Sequence, residues 1–329
     1  MKYSQPKKIV ILVMLLLCVA YSCKKDVQKT KQTESPIIET KKVDYKLSLA
    51  QWSLHKGIFD GSIDPMNFAE DAKNLGFEGL EYVSQLYVSE DVNYPYKEKG
   101  LDAILKELKK RSDSLGMKNL IIMIDREGDL SFSDEELTNK AIENHKKWID
   151  AAQFLGCHSI RINLFGEDDE QLWVKNSVRS LKKLVEYSKP KNVAILVENH
   201  GGNSSKANLL AEVMKQVNSD YCGTLPDFGN FCTKREGNAR WAAPCVEEYD
   251  IYKGIEELMP YAKGVSAKSY AFDETGNETK IDYQKMFQIV EKSNFEGFVG
   301  VEYEGSTDYK KGILKTKELV KTCINNLNN

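Results

Sequence analysis

Histidine is scarce in this chain, with four in 329 residues. That leaves little material for a metal centre built mainly on imidazoles. The seven cysteines include no C-x-x-C pair, which argues against a structural zinc ribbon. Lys and Arg number 46 against 49 Asp and Glu, mixed along the chain, so no basic stripe marks a nucleic-acid surface and no nucleic-acid partner is expected. An unbroken apolar run, Ile9 to Ala20, is 12 residues long, too short to span a bilayer comfortably. The first strand candidate runs into Gln-Trp-Ser-Leu-His and not into a glycine-rich phosphate loop, which disfavours a doubly wound open sheet.

What is present at the N-terminus reads as a secretory signal. Lys2, Lys7 and Lys8 precede the apolar run, and Ala20 and Ser22 precede Cys23. The Ala-Tyr-Ser-Cys ending resembles a bacterial lipobox, with Tyr21 in place of the usual small residue. By that resemblance residues 1–22 are the signal, and Cys23 is the first mature residue and carries the lipid. An ordinary cleaved signal is the alternative. Residues 23–45 are polar and Lys-rich and read as a flexible tether. The expected setting is extracytoplasmic, on a bacterial membrane, with the lipid anchor as membrane partner. Of the other cysteines, Cys157 and Cys222 sit just before apolar strands, where buried thiols are common. Cys232 and Cys245 share a loop and could pair.

The rest of the chain, residues 46–329, has enough apolar residues (41% overall) for a sizeable core. Leu75-Gly76, Leu115-Gly116 and Leu155-Gly156 recur every 40 residues, each after a helical stripe and before an apolar strand. Eight strands are predicted: 46–51, 79–82, 120–124, 159–163, 193–198, 223–227, 264–268 and 297–302. Helical i, i+3, i+4 stripes lie between them, for example Leu101, Ile104, Leu105 and Leu108, and a last helix is predicted over 308–327. This order and length predict an α/β fold, a single (β/α)8 TIM barrel domain over 46–329.

In such a barrel the reacting groups sit at the C-terminal strand ends. Those ends carry Gln51-Trp52 with His55 close behind, then Glu81-Tyr82, Asp125-Arg126, Arg161 with Asn163, Glu198-Asn199-His200, Asp227-Phe228-Gly229-Asn230, Lys268, and Glu302-Tyr303-Glu304. The other strand ends read Gly79, Cys157, Cys222, Gly264 and Gly297. Converging carboxylates need protons or cations to neutralise them, and a divalent metal is the simplest cation. Oxygen donors with few imidazoles suit Mg²⁺ or Mn²⁺, with Zn²⁺ or Co²⁺ also open. Singly, each residue has a bland reading: Glu81 as partner of a barrel cation, Trp52 as core filler, Arg161 as counter-ion, His145 as a surface or packing residue and His158 as structural. Glu198, Asp227 and Glu302 together are the stronger signal.

The stretches LVENHGG (196–202), GTLPDFGNF (223–231) and GFVGVEYEG (297–305), with LSLAQWSL (47–54) and GFEGLEYV (76–83), resemble the xylose isomerase-like barrel superfamily of sugar isomerases and epimerases. The resemblance covers residues 46–329. It implies a metal held by Glu198, Asp227 and Glu302, with Glu198 and Glu302 exchanging a proton beside a sugar carbonyl through an enediolate. The strand-seven ligand, often His in the family, falls here on Ser266. His200 could supply an imidazole instead, or Lys268 could replace the metal's charge. Asn230 stands where epimerase relatives carry a substrate-contacting His. Trp52 and Tyr303 are expected to stack on the sugar. Arg161, Asn199 and Lys268 are expected to hold its oxygens, and His55, Glu81, Asn163 and Asn230 to line its site.

The activity implied is a sugar isomerase or epimerase acting on a free sugar or keto-sugar. The alternatives are a keto-sugar lyase or hydratase, or a non-catalytic sugar-binding lipoprotein. An endonuclease of the related DNA-repair group would need a His-rich multinuclear zinc site and is disfavoured.

Overall fold

The computed structural model describes residues 42–329. Cys23, the signal and most of the expected tether lie outside these residues. Among the described residues no helix is long and apolar enough to cross a membrane.

Ten strands form among the described residues: β1 (Lys46–Ala50), β2 (Gly79–Val83), β3 (Lys118–Met123), β4 (Ser159–Ile162), β5 (Ala194–Glu198), β6 (Cys222–Leu225), β7 (Cys232–Arg235), β8 (Cys245–Glu248), β9 (Val265–Ser269) and β10 (Phe298–Tyr303). Eight of them pair in parallel in the order β6-β5-β4-β3-β2-β1-β10-β9. The two edges of that sheet meet through parallel bridges, Thr224 with Ala262 and Asp227 with Ser266. Phe228 N donates to Ser266 O (3.1 Å) and Ser266 N to Pro226 O (2.9 Å), so the sheet closes into a barrel and not a doubly wound layer. All eight barrel strands lie within two residues of their expected bounds.

The helices are α1 (His55–Phe59), α2 (Phe68–Asn74), α3 (Gln85–Val88), α4 (Leu101–Leu115), α5 (Glu135–Leu155), α6 (Glu170–Ser188), α7 (Ala207–Val217), α8 (Ile251–Leu258), α9 (Tyr283–Lys292) and α10 (Tyr309–Leu327). The apolar stripes face the barrel: Ile104, Leu105 and Leu108 on α4 are buried, as are Ala141, Ile142, Ile149 and Ala152 on α5. Five helices start on an aspartate. Asp134, Asp169, Asp250, Asp282 and Asp308 each accept a hydrogen bond from the third helical N–H, a cap typically worth ~1 kcal/mol. The repeating Leu-Gly pairs are turns out of helices, with Gly76, Gly116 and Gly156 at φ 75°, 67° and 83°.

Two features differ from expectation. Val43 exchanges hydrogen bonds with Asn328 (2.7 and 2.8 Å), and the Tyr45 ring packs against Phe287 and Phe295. The barrel therefore begins before residue 46 and takes in the end of the expected tether. An antiparallel hairpin, β7–β8, is also inserted between the sixth barrel strand and α8, and Cys232 and Cys245 are disulfide-bonded across it. Cys157, Cys222 and Cys323 are free and buried.

Candidate functional site

Inside the barrel, side chains of alternate residues point to the axis, and small residues leave room for large polar ones. Ser48, Gly300 and Ser266 lie in register on β1, β10 and β9. Glu81 lies across Gly300: a Cβ there would come within 2.5 Å of Glu81 Oε1. Ser48 Oγ donates to that oxygen at 2.6 Å, whereas the buried Glu81 Oε2 has no hydrogen-bond partner. Burial, with the nearby charges of Glu302 and Glu198, pushes the Glu81 carboxyl up to about 7.

One layer above, the strand ends bring Glu198, Asp227, Lys268 and Glu302 together, all nearly or fully buried. Lys268 reaches into the midst of them. Its Nζ lies 3.0 Å from Glu302 Oε1, 3.0 Å from Glu304 Oε2 and 3.7 Å from Asp227 Oδ2. Asn230 joins the two halves of the cluster, donating to Glu198 Oε1 at 2.9 Å and accepting from Lys268 Nζ at 3.4 Å. On the other side Arg161 Nε stands 2.8 Å from Glu198 Oε2, an ion pair whose angles are not those of a straight hydrogen bond. Arg161 also pairs with Asp125 (3.0 Å).

Burial raises the carboxyls of Glu198 and Glu302 above their ordinary range, against the pull of Arg161 and Lys268, and lifts Asp227 to about 8. Burial acts on Glu304 in the same sense, but Lys268 and the Trp52 indole N–H outweigh it and hold Glu304 at about 2. Burial disfavours the charge of Lys268 too, yet Asp227, Glu302 and Glu304 keep its ammonium charged.

The LVENHGG turn leaves β5 through Gly201 (φ 99°) and Gly202 (φ 60°), both in the left-handed region that suits glycine. His200 Nδ1 is 2.8 Å from Asn163 Oδ1, and Asn163 Nδ2 donates to Asp125. Because that amide oxygen accepts, His200 carries its proton on Nδ1 and leaves Nε2 a lone pair. Burial and the cations Arg161 and Lys268 lower His200 to about 4, so it is neutral at pH 7.

Above this cluster lies a cavity of about 390 Å³, lined by Glu198, Glu302, Glu304, Arg161, Asn163, Asp125 and His200 together with aromatic rings. Trp52 and Phe59 follow the first barrel strand. Phe165 and His200 follow the fourth and fifth strands and Trp241 lies in the loop of the hairpin, on the opposite side of the ring of eight. Trp52 is oriented by Glu304, which accepts its indole N–H at 2.6 Å, and by His55 stacked on it at 4.3 Å. Trp241 packs 4.9 Å from His200 and 5.3 Å from Phe165. Arg240 beside it pairs with Asp129, tying the hairpin loop across the rim.

Of the expected sugar contacts, Lys268 and Asn230 sit among the carboxylates and do not line the cavity, and two more are turned away from it. Tyr303 alternates with Glu302 and so points outward, its hydroxyl on Thr307 and its ring beside Phe272, under α10. Asn199 alternates with Glu198 and is spent on backbone: its amide donates to Asp227 O (2.9 Å) and accepts from Asp227 N (2.8 Å). It fixes Asp227 and does not face the cavity. His55 supports the cavity-lining Trp52 without lining the cavity itself, and Glu81 lies outside the lining, against Ser48 and Gly300. Asp125, Glu304, Phe59, Phe165, Arg240 and Trp241 line the cavity although they were given no role from sequence. His145, read as packing, is buried on α5 and also touches the cavity.

The carboxylates do not fit a divalent ion as they stand. Among the described residues no group of three or more His, Cys, Asp and Glu is arranged to hold one. Five of the six oxygens of Glu198, Asp227 and Glu302 already face a proton donor of the chain, Asn230 and Arg161, Gly229 and Ser266, and Lys268, and the sixth, Glu302 Oε2, lies 3.3 Å from the same Ser266 hydroxyl. A dication ~4 Å from the Lys268 ammonium would be repelled by about 8 kcal/mol at an effective dielectric of about 20. His200, which could have supplied an imidazole to a metal site, keeps a lone pair on Nε2 but is not grouped with the carboxylates as a ligand set among the described residues.

Residues 69–323 match the xylose isomerase-like TIM barrel family. Among solved structures the chain is similar to the 3-keto-D-glucoside 4-epimerase of E. coli, with TM-score 0.62, 12% identity, and coverage of 85% of this chain and 100% of that one. It is similar to an L-ribulose 3-epimerase (TM-score 0.62, 15% identity, 86% and 95% covered). It is also similar to the IOLI protein described with a bound zinc atom (TM-score 0.62, 13% identity, 85% and 98% covered). At these identities the likeness carries the fold. No curated protein matches the sequence. The family match, spanning most of the chain, and the closed eight-stranded barrel together establish that this chain belongs to the xylose isomerase-like TIM barrel family.

Proposed function

We propose that this chain is a sugar isomerase or epimerase that moves a proton at a carbon beside the carbonyl of a free sugar or keto-sugar. One observation carries the reading. Two buried glutamates, Glu198 and Glu302, face one cavity from the fifth and eighth barrel strands, each beside a fixed cation. Glu198 takes the proton from the carbon, and the electron pair moves to the carbonyl oxygen as the enediolate forms. Glu302, entering the step protonated, gives its proton to the neighbouring carbon or to the opposite face, and in an isomerisation the neighbouring hydroxyl's proton passes to the former carbonyl oxygen. Burial strengthens both as bases, since each carboxylate is less well solvated than in water. Arg161 and Asn163 hold the sugar oxygens, and the Trp52 side of the cavity receives the ring face. The similar epimerases support the substrate class. No step here runs through a metal.

The setting belongs to the same proposal: lipidated at Cys23, the barrel works beside a bacterial membrane on sugars outside the cytoplasm. The test is to incubate the protein in D2O with ketoses, aldoses and keto-glycosides. Deuterium at the carbon beside the carbonyl supports the enzyme. Sugar binding with no exchange across the panel would make the chain a sugar-binding protein.

A further inference from the structure

The carboxylates of strands five, six and eight need positive charge, and this chain supplies it from its own seventh barrel strand. We propose that the Lys268 ammonium takes the place of a resident divalent ion, so that the site is built to work without one. The inference builds on the proposed function, but its test measures metal and not turnover, so either can fail alone.

Four observations carry it. Lys268 is 2% exposed, and its Nζ is ringed by Glu302, Glu304, Asp227 and Asn230, from the ends of the two strands that flank its own. The β9–β10 register places Lys268 beside Glu302, so the backbone aims the ammonium at that carboxylate. Ser266 points a hydroxyl at the same carboxylates, donating to Asp227 Oδ2 at 2.7 Å and facing Glu302 Oε2 at 3.3 Å. An imidazole at that position would offer a metal its lone pair, whereas this hydroxyl is turned with its one proton on Asp227. Glu304 adds a further carboxylate to the ammonium, which gives a cation of charge one the close oxygen shell that a divalent ion would otherwise organise. Lys268 does not line the cavity, so it is a positioning residue that acts through Glu302 and Glu304.

The experiment is metal analysis of the purified full domain, with melting temperatures in chelator and in excess Mn²⁺ or Zn²⁺. Wild type should carry well under one ion per chain and melt at the same temperature in both. Lys268→Met keeps the side-chain length and leaves the carboxylates unneutralised. It should melt lower in chelator and recover by several degrees in metal, because an ion that binds only the folded state stabilises it. A purely structural lysine would cause the loss without the metal-dependent recovery, and that result overturns the proposal. So does wild type that retains one ion per chain and melts lower once stripped, a result that holds even if the variant fails to fold.

Discussion

Lys268 Nζ lies 3.0 Å from Glu302 Oε1, on neighbouring strands whose register sets the two residues side by side. The carboxylate proposed to return the proton is thereby clamped to a cation that cannot leave. The opposite member, Glu198, is held the same way by Arg161 at 2.8 Å. Each base has its own counter-charge, and Asn230 links the two pairs.

Removing one partner of such a buried pair is expected to be severe. Arg161→Met strands Asp125 and Glu198 and should cost about 3–5 kcal/mol in urea unfolding. Adding Glu198→Gln to that variant should recover part of the loss. A loss under ~1 kcal/mol for the single variant would mean that water reaches the pair.

Glu81 gives a pH prediction. Its carboxyl sits at about 7 in the fold against 4.5 when exposed, so the folded state favours the protonated form. The stability it contributes is complete below pH ~4.5 and is lost as pH rises through about 7, a span worth on the order of 3 kcal/mol. Glu81→Gln keeps an acceptor for Ser48 and should flatten the fall in unfolding free energy across that window. An unchanged slope would show that Glu81 does not titrate there.

The hairpin wall can be tested apart from the barrel. Trp241 is 46% exposed, so Trp241→Ala should leave stability within about 0.5 kcal/mol. It should raise KM for an accepted sugar by roughly 2- to 12-fold through lost ring contact. An unchanged KM would remove Trp241 from the substrate site.

Cys23→Ser is expected to release the protein from the membrane fraction of a bacterial host. A variant that still sediments with membranes, as wild type does, would end the lipid-anchor proposal.

The barrel was legible because its physics is local. Helical stripes, Leu-Gly exits and apolar strands repeat, and each strand end can be read independently. Glu198, Asp227, Glu302 and Lys268 followed from that, and the structure brings them together. Period-two alternation, applied strictly, would also have turned Tyr303 and Asn199 away from the cavity and turned Glu304 toward it. Glu304 was therefore readable and passed over. Arg240 and Trp241 were not readable. They reach the rim only because β7 pairs with β8 and Asp129 receives Arg240 from 111 residues away. Nor does any local pattern say that Ser266 donates to the carboxylates and Lys268 sits among them, since both depend on closure of β6 onto β9.

Solvent exchange in an isosteric variant decides whether Glu198 moves the proton. Glu198→Gln keeps the shape and the Asn230 contact while removing charge and basicity. In D2O with an accepted keto-sugar, the folded variant should incorporate deuterium beside the carbonyl ~10²–10⁴-fold more slowly than wild type. Exchange at the wild-type rate in a well-folded Glu198→Gln protein would contradict the assignment.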